Sequence, residues 1–173
     1  MQEKINYQKI CSDLIKGLPQ RTADVVERRF GLKTGERETL ESIGQSYEIT
    51  RERVRQIEAE GFGHIFSAAE KYQEVFDYFK KKVESFGGLK REDKLLESLG
   101  GEKFKNHVFF LLVISKILKR FPETEKYHSF WAADEKIAQD CLKTTDNVVN
   151  MLEKEGNPVN PDRLHEMACA ESK

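Results

Sequence analysis

Apolar residues recur at helical spacing along most of the chain, and the breaks fall at glycine and proline. Ile10, Leu14 and Ile15 form one side of a short amphipathic helix over residues 6–16, closed by Gly17-Leu18-Pro19. Ala23, Val26 and Phe30 predict a second helix over residues 20–30, with Pro19 near its start and Gly31 as its C-terminal stop. A short polar loop containing Gly35 spans residues 33–38. Beyond it Leu40 and Ile43 point inward and Glu41 outward, while Gly44 allows a close approach of two helices. Tyr47 and Ile49 bracket a polar turn, Thr50 is a good N-cap, and Val54 and Ile57 make the inward pair of the next helix. Residues 39–60 thus read as helix, tight turn and helix.

Further on, the chain is strongly helical over residues 67–82, with Tyr72, Val75, Phe76 and Phe79 at helical spacing. A core or connector face fits that spacing better than an aromatic binding stripe. Gly61 and Gly63 weaken the preceding helix end and suggest a hinge. Ser85-Phe86-Gly87-Gly88 marks a domain boundary. A short extended start at 88–90, a helix over 91–99, a Gly100-Gly101 turn and a long apolar helix over 104–121 follow, the last stopped by Pro122. Residues 127–131 alternate like a strand. Helices followed by a small hairpin resemble a winged-helix module, in which Trp131 is expected in the core rather than as a wedge in DNA. Residues 134–155 read as helical, and a new helix begins near Pro161-Asp162.

The outward face of the second hairpin helix carries the chemistry. At roughly 100° per residue, Arg51, Glu52, Arg55 and Gln56 share one arc opposite Val54 and Ile57. Arginine pairs with guanine or clamps a phosphate, glutamine pairs with adenine, and glutamate accepts from cytosine. A helix of this width fits the major groove. Periodicity alone fits an ordinary solvated charged face equally well.

The wording of the chain adds more. Arg29-Phe30-Gly31-Leu32, then Thr39-Leu40-Glu41 with Ile43-Gly44, then residues 50–58, TRERVRQIE, closely resemble region 4 of the bacterial sigma-70 family. The resemblance covers about residues 18–60. It implies a helix-turn-helix domain; with the later helices and hairpin, the chain is expected to be mainly α, a sigma region 4-like helix-turn-helix domain joined by a helix to the winged-helix-like domain. It implies recognition of double-stranded promoter DNA at the upstream −35-type hexamer, and docking on the flap of the RNA polymerase β subunit. Arg21 and Arg29 match the family's phosphate-contacting arginines. Thr39, Leu40 and Glu41 match the positions that touch the DNA backbone through main-chain groups. After Glu60 the chain departs from the family: Gly61-Phe62-Gly63-His64 stands where a basic helical continuation is usual. Residues 148–168 are similar to the opening of HARE-type helix-turn-helix modules, as in the polymerase delta subunit. The expected organisation is 1–66, the region 4-like domain; 67–86, a connecting helix; 87–134, the winged-helix-like domain; and 135–173, C-terminal helices.

Composition narrows this reading. The chain has 173 residues, 38% hydrophobic and 34% charged, as expected of a globular protein and not a disordered one. Its formal net charge is −1, so DNA binding must come from local clustering and is expected to be salt-sensitive. Cys11, Cys141 and Cys169 are far apart without a CxxC pair, which favours reduced thiols over disulfides or zinc. The longest apolar stretch, 108–114, is too short to span a bilayer, and no secretory signal is evident. A cytoplasmic, non-enzymatic protein without cofactor or metal is expected, since no Walker loop, dinucleotide fingerprint or catalytic constellation is found. The chain is expected not to open a promoter alone, and to be an N-terminal fragment or to end in an incomplete module. The alternative function is a protein-interaction module that docks on the β flap or on a sigma factor without reading DNA.

Overall fold

The computed structural model describes residues 5–171. Four helices form the N-terminal part: α1 (Tyr7–Ile15), α2 (Gln20–Phe30), α3 (Leu40–Ser46) and α4 (Arg51–Ala69). A 3-10 turn, Glu70–Tyr72, leads into α5 (Gln73–Glu84). Then come β1 (Leu89–Arg91), α6 (Glu92–Ser115), β2 (Lys119–Phe121) and β3 (Phe130–Ala132). The chain continues through α7 (Glu135–Glu155) and α8 (Pro161–Glu171).

The strands form one antiparallel sheet with β3 in the middle, in the order β1-β3-β2. Leu89 and Lys119 both sit opposite Ala132, and Arg91 and Phe121 both sit opposite Phe130. Gly101, at φ 60° and ψ −174°, breaks α6 into two helical pieces. The run helix, strand, helix, helix, strand, strand is the winged-helix arrangement, with α5 as its first helix.

A single apolar core joins the two halves. Leu14, Val26, Phe30 and Ile65 from the first four helices meet Phe79 of α5, Phe110 and Leu112 of α6, and Trp131 of the sheet. The second piece of α6 buries Asn106, Val108, Phe109, Phe110, Leu111, Leu112 and Ile114. It is therefore an interior helix, packed against α1, α2 and α4. By contrast, α7 contributes only Ala138 and Val148 as buried residues, and α8 packs on α7.

Three sequence expectations need correction. The helix expected over 104–121 ends at Ser115, where Lys116 turns left-handed at φ 53°, and residues 119–121 form β2. Phe110, Ile114, Leu118 and Phe121 keep helical spacing, but pairing with β3 satisfies the backbone there instead. The helix expected to run unbroken over 67–82 is interrupted by the 3-10 turn. No hinge forms at Gly61 or Gly63, because α4 continues through both. Gly61 is buried where α4 crosses α2, and a Cβ there would lie 2.7 Å from Cγ2 of Thr22. Its function is close helix approach.

Candidate nucleic-acid interface

The α3–α4 hairpin is built from its own small core. Val25 of α2 meets Ile43, Val54 and Ile57, with Leu40, Tyr47 and Ile49 around them. Both helices are capped: the hydroxyl of Thr39 accepts from the Ser42 N–H at 3.1 Å, and that of Thr50 from the Arg53 N–H at 3.2 Å. Gly44 is required at the crossing, since a Cβ would lie 2.8 Å from the Ile49 carbonyl oxygen. The hairpin is anchored to α2 by Tyr47, whose hydroxyl donates to Asp24 Oδ2 at 2.7 Å, and by Arg28, which donates to Ser46 Oγ at 2.8 Å.

With Val54 and Ile57 turned inward, Arg51, Glu52, Arg55 and Gln56 are all exposed. They lie together on one outward face of α4. Arg55 holds Glu52 by two hydrogen bonds, Nε to Oε2 at 2.9 Å and Nη2 to Oε1 at 2.7 Å. That guanidinium keeps the Glu52 carboxyl below the usual carboxylate range. Gln56 Oε1 accepts from Arg53 Nη1 at 3.0 Å, and Arg51 makes no ion pair among the described residues. The face therefore holds one uncommitted guanidinium and a preset Arg–Glu pair, both able to exchange partners with a ligand that offers acceptors.

The remaining candidate residues fall into two groups. Thr39, Leu40 and Glu41 open α3; Thr39 and Glu41 are exposed and Leu40 is partly buried against the hairpin core. Arg21 is exposed at the start of α2, its Cζ 4.6 Å from the Tyr47 ring centre. Arg29 is half-buried at the other end of that helix. Its Nη1 donates to the Glu38 carbonyl at 3.0 Å, and its Nε lies 3.6 Å from Glu58 Oε1. Burial pushes the Glu58 carboxyl up, against the pull of Arg29. Arg29 thus ties the loop before α3 to α4. Arg21 and Arg29 do not converge on one point, since eight residues separate them, about 12 Å of helix.

Three residues outside the sequence reading shape this region. Asn106 of α6 donates to the carbonyls of Gly31 at 3.2 Å and Gly35 at 2.7 Å. Arg37 donates from Nε to Asn106 Oδ1 at 3.1 Å. Glu92, buried, takes both Arg120 and the Trp131 indole. No local pattern in the chain signals these contacts, which span 28 to 75 positions. Among the described residues no group of three His, Cys, Asp or Glu side chains is placed to hold a metal, and no helix is long and apolar enough to cross a membrane.

These helices form a helix-turn-helix unit in which one polar face of the second helix is open to solvent. Its type is specific: residues 14–66 match the family described as Sigma-70, region 4. The RNA polymerase principal sigma factor HrdD of Streptomyces viridifaciens is 48% identical over 46 residues, 27% of this chain and 14% of that protein. The RNA polymerase sigma factor SigA of Nostoc sp. (strain PCC 7120) is 43% identical over 61 residues, 34% of this chain and 16% of that protein. The chain thus spans about a seventh of the length of the curated relatives it matches. The family match ends at residue 66, so the HARE-type resemblance of residues 148–168 has no support from it.

Proposed function

We propose that this protein is a sigma-like transcription regulator that binds promoter DNA sequence-specifically and acts with RNA polymerase. The observation that carries the reading is the exposed Arg51, Glu52, Arg55, Gln56 face on a capped helix within a segment of region 4 type. In this reading Arg51, Glu52, Arg55 and Gln56 meet base edges or neighbouring phosphates of the upstream hexamer. Arg21, Arg29, Thr39, Leu40 and Glu41 position the DNA backbone, which fixes register without reading sequence. The Arg55–Glu52 pair opens as Arg55 turns to a guanine or a phosphate. Docking on the polymerase, including the β flap, uses surfaces other than the apolar sides of α1, α2 and α4, because α6 covers those.

A second reading, docking on the β flap or on a sigma factor without reading DNA, is favoured by one observation. Residues 14–66 contain nine Lys or Arg and nine Asp or Glu, so the segment is formally neutral. Binding of the whole chain to a duplex carrying a TTGACA-like hexamer, beside a scrambled duplex, separates the two across a salt series. Salt-dependent preference that disappears in Arg55→Ala and Gln56→Ala variants establishes a promoter reader, with about 1–3 kcal/mol of discrimination per good base contact. Equal, weak binding to both duplexes rejects it and leaves the polymerase or a sigma factor as the partner.

A further inference from the structure

Most arginines around the helix-turn-helix are already neutralised. Arg28 is clasped by Glu38, Arg29 lies against Glu58, Arg55 holds Glu52, and Arg120 is gripped by Glu92. Arg37 is different. It lies in the loop between α2 and α3, two residues before the Thr39 cap, and makes no ion pair among the described residues.

Arg37 is nonetheless held in place. Its Cζ sits 3.7 Å from the centre of the Phe109 ring, and its Nε donates to the amide oxygen of Asn106 at 3.1 Å. Both supports are uncharged, so they fix the guanidinium without cancelling its charge. Asn106 is itself buried and pinned by the Gly31 and Gly35 carbonyls. Neither terminal nitrogen of Arg37 has an acceptor among the described residues, and the residue stays exposed. The charged groups nearest in effect are Glu92, Arg120 and Arg29, and the two arginines are already paired with Glu92 and Glu58. A partly covered guanidinium with two idle donors and no counterion of its own suits an anion arriving from solvent.

Its position says which anion. The next residue, Glu38, has its carbonyl held by Arg29, and Arg29 reaches Glu58 on α4, one turn beyond Arg55. Arg37 therefore extends the edge of the proposed DNA face toward the sheet. We propose that Arg37 clamps a phosphate of the bound duplex, preset for it by Asn106 and Phe109 of α6, so that the second half of the chain lengthens the footprint of the helix-turn-helix. This inference rests on the DNA-binding reading above.

The test compares the full chain with Arg37→Gln and Arg37→Lys on the hexamer duplex and the scrambled duplex, between about 50 and about 200 mM salt. One phosphate contact corresponds to a slope of about 0.9 in log affinity against log salt, or roughly 3.5-fold over that range. We expect Arg37→Gln to weaken both duplexes, to lose roughly 3.5-fold less affinity than the native chain as salt rises, and to keep the sequence preference. Arg37→Lys should retain the native slope. A single neutral methylphosphonate, walked along the duplex, should weaken the native chain at one position where it leaves Arg37→Gln unaffected. If Arg37→Gln fails to fold, Arg37→Met, which keeps an apolar stem against Phe109, takes its place, with the same expected loss of salt slope and of sensitivity at that one position. A native slope and a native methylphosphonate profile in a folded Arg37→Gln variant overturn the inference alone. If the native chain binds neither duplex, the DNA-binding reading falls with it.

Discussion

Arg28 grips Glu38 through two parallel hydrogen bonds, Nε to Oε1 at 2.8 Å and Nη2 to Oε2 at 2.7 Å. The clasp joins the end of α2 to the residue before the α3 cap. Ser42 adds a third contact to the same carboxylate at 3.1 Å, and Arg28 also reaches Ser46 at the far end of α3. Two residues thereby bracket the whole first helix of the hairpin.

This clasp has a pH signature. Arg28 holds the Glu38 carboxyl below its ordinary value of 4.5, so folding favours its ionised form. The resulting stability is present above the ordinary carboxylate value and is lost as pH falls below it. We expect Glu38→Gln to lower stability at neutral pH by about 1 kcal/mol, as measured for well-ordered ion pairs that keep some exposure. That difference should shrink as pH falls through the carboxylate range. Thermal melts of both proteins across that range check it; a difference that does not change with pH rules out the charge as its origin.

Gly61 and Gly63 should respond oppositely to the same substitution. Both lie within α4, where replacing glycine by alanine is worth about 1 kcal/mol to an exposed helix position. At Gly63 a Cβ meets nothing within 4 Å, so Gly63→Ala should stabilise by about that amount. At Gly61 the new methyl would press on Thr22, a stiff β-branched side chain that is itself buried, with Val26 behind it. We expect Gly61→Ala to be destabilising by about 1–3 kcal/mol, the cost of overpacking. Urea denaturation of the two variants measures both. Equal stabilisation by both would mean that α2 and α4 are not in close contact there.

Glu92 joins the sheet to α6. Its carboxylate accepts from Arg120 at 2.6 and 3.0 Å and from the indole of Trp131 at 2.9 Å. Glutamine offers one oxygen where three donors converge and turns an NH2 toward the others. We expect Glu92→Gln to cost about 2 kcal/mol, the range for leaving a buried donor unsatisfied. Trp131 is the chain's one tryptophan, so its fluorescence reports this junction directly during urea unfolding. An unchanged midpoint would show that solvent already serves these donors.

The hairpin was legible because its determinants are local. The Thr50 cap, the small Gly44 and the inward Val54 and Ile57 all sit within a few residues of the structure they specify. The Gly31 stop is of the same kind, with its left-handed φ of 61°. What could not be read depends on partners distant in the chain. Leu118 and Phe121 keep helical spacing, and only β3 pairing turns their segment into a strand. Gly61 looks like a helix breaker until α2 is laid against it. Arg29 matches a phosphate-contacting position by sequence, yet the structure engages it with Glu38 and Glu58. Arg37 belongs to no motif, and its setting comes entirely from α6.

Asn106 makes the dependence of one half on the other measurable. One side chain satisfies two loop carbonyls, at Gly31 and Gly35, and receives Arg37. The site leaves no spare room: a Cβ on Gly31 would lie 2.8 Å from Asn106 Nδ2 and 2.6 Å from the Glu36 carbonyl oxygen. Leucine matches asparagine roughly in size but leaves the Gly35 carbonyl and the Arg37 Nε without partners, while the Gly31 carbonyl keeps only the Gly35 N–H at 3.1 Å. We expect Asn106→Leu to cost about 1–3 kcal/mol per group left unsatisfied and buried. The effect on DNA should be distinct from that of Arg55→Ala. Loosening the loop before α3 disturbs backbone positioning and not base reading, so affinity should fall alike on the hexamer and the scrambled duplex. Loss of stability with unchanged DNA affinity would show that α6 supports the fold alone and leaves the recognition face indifferent to it.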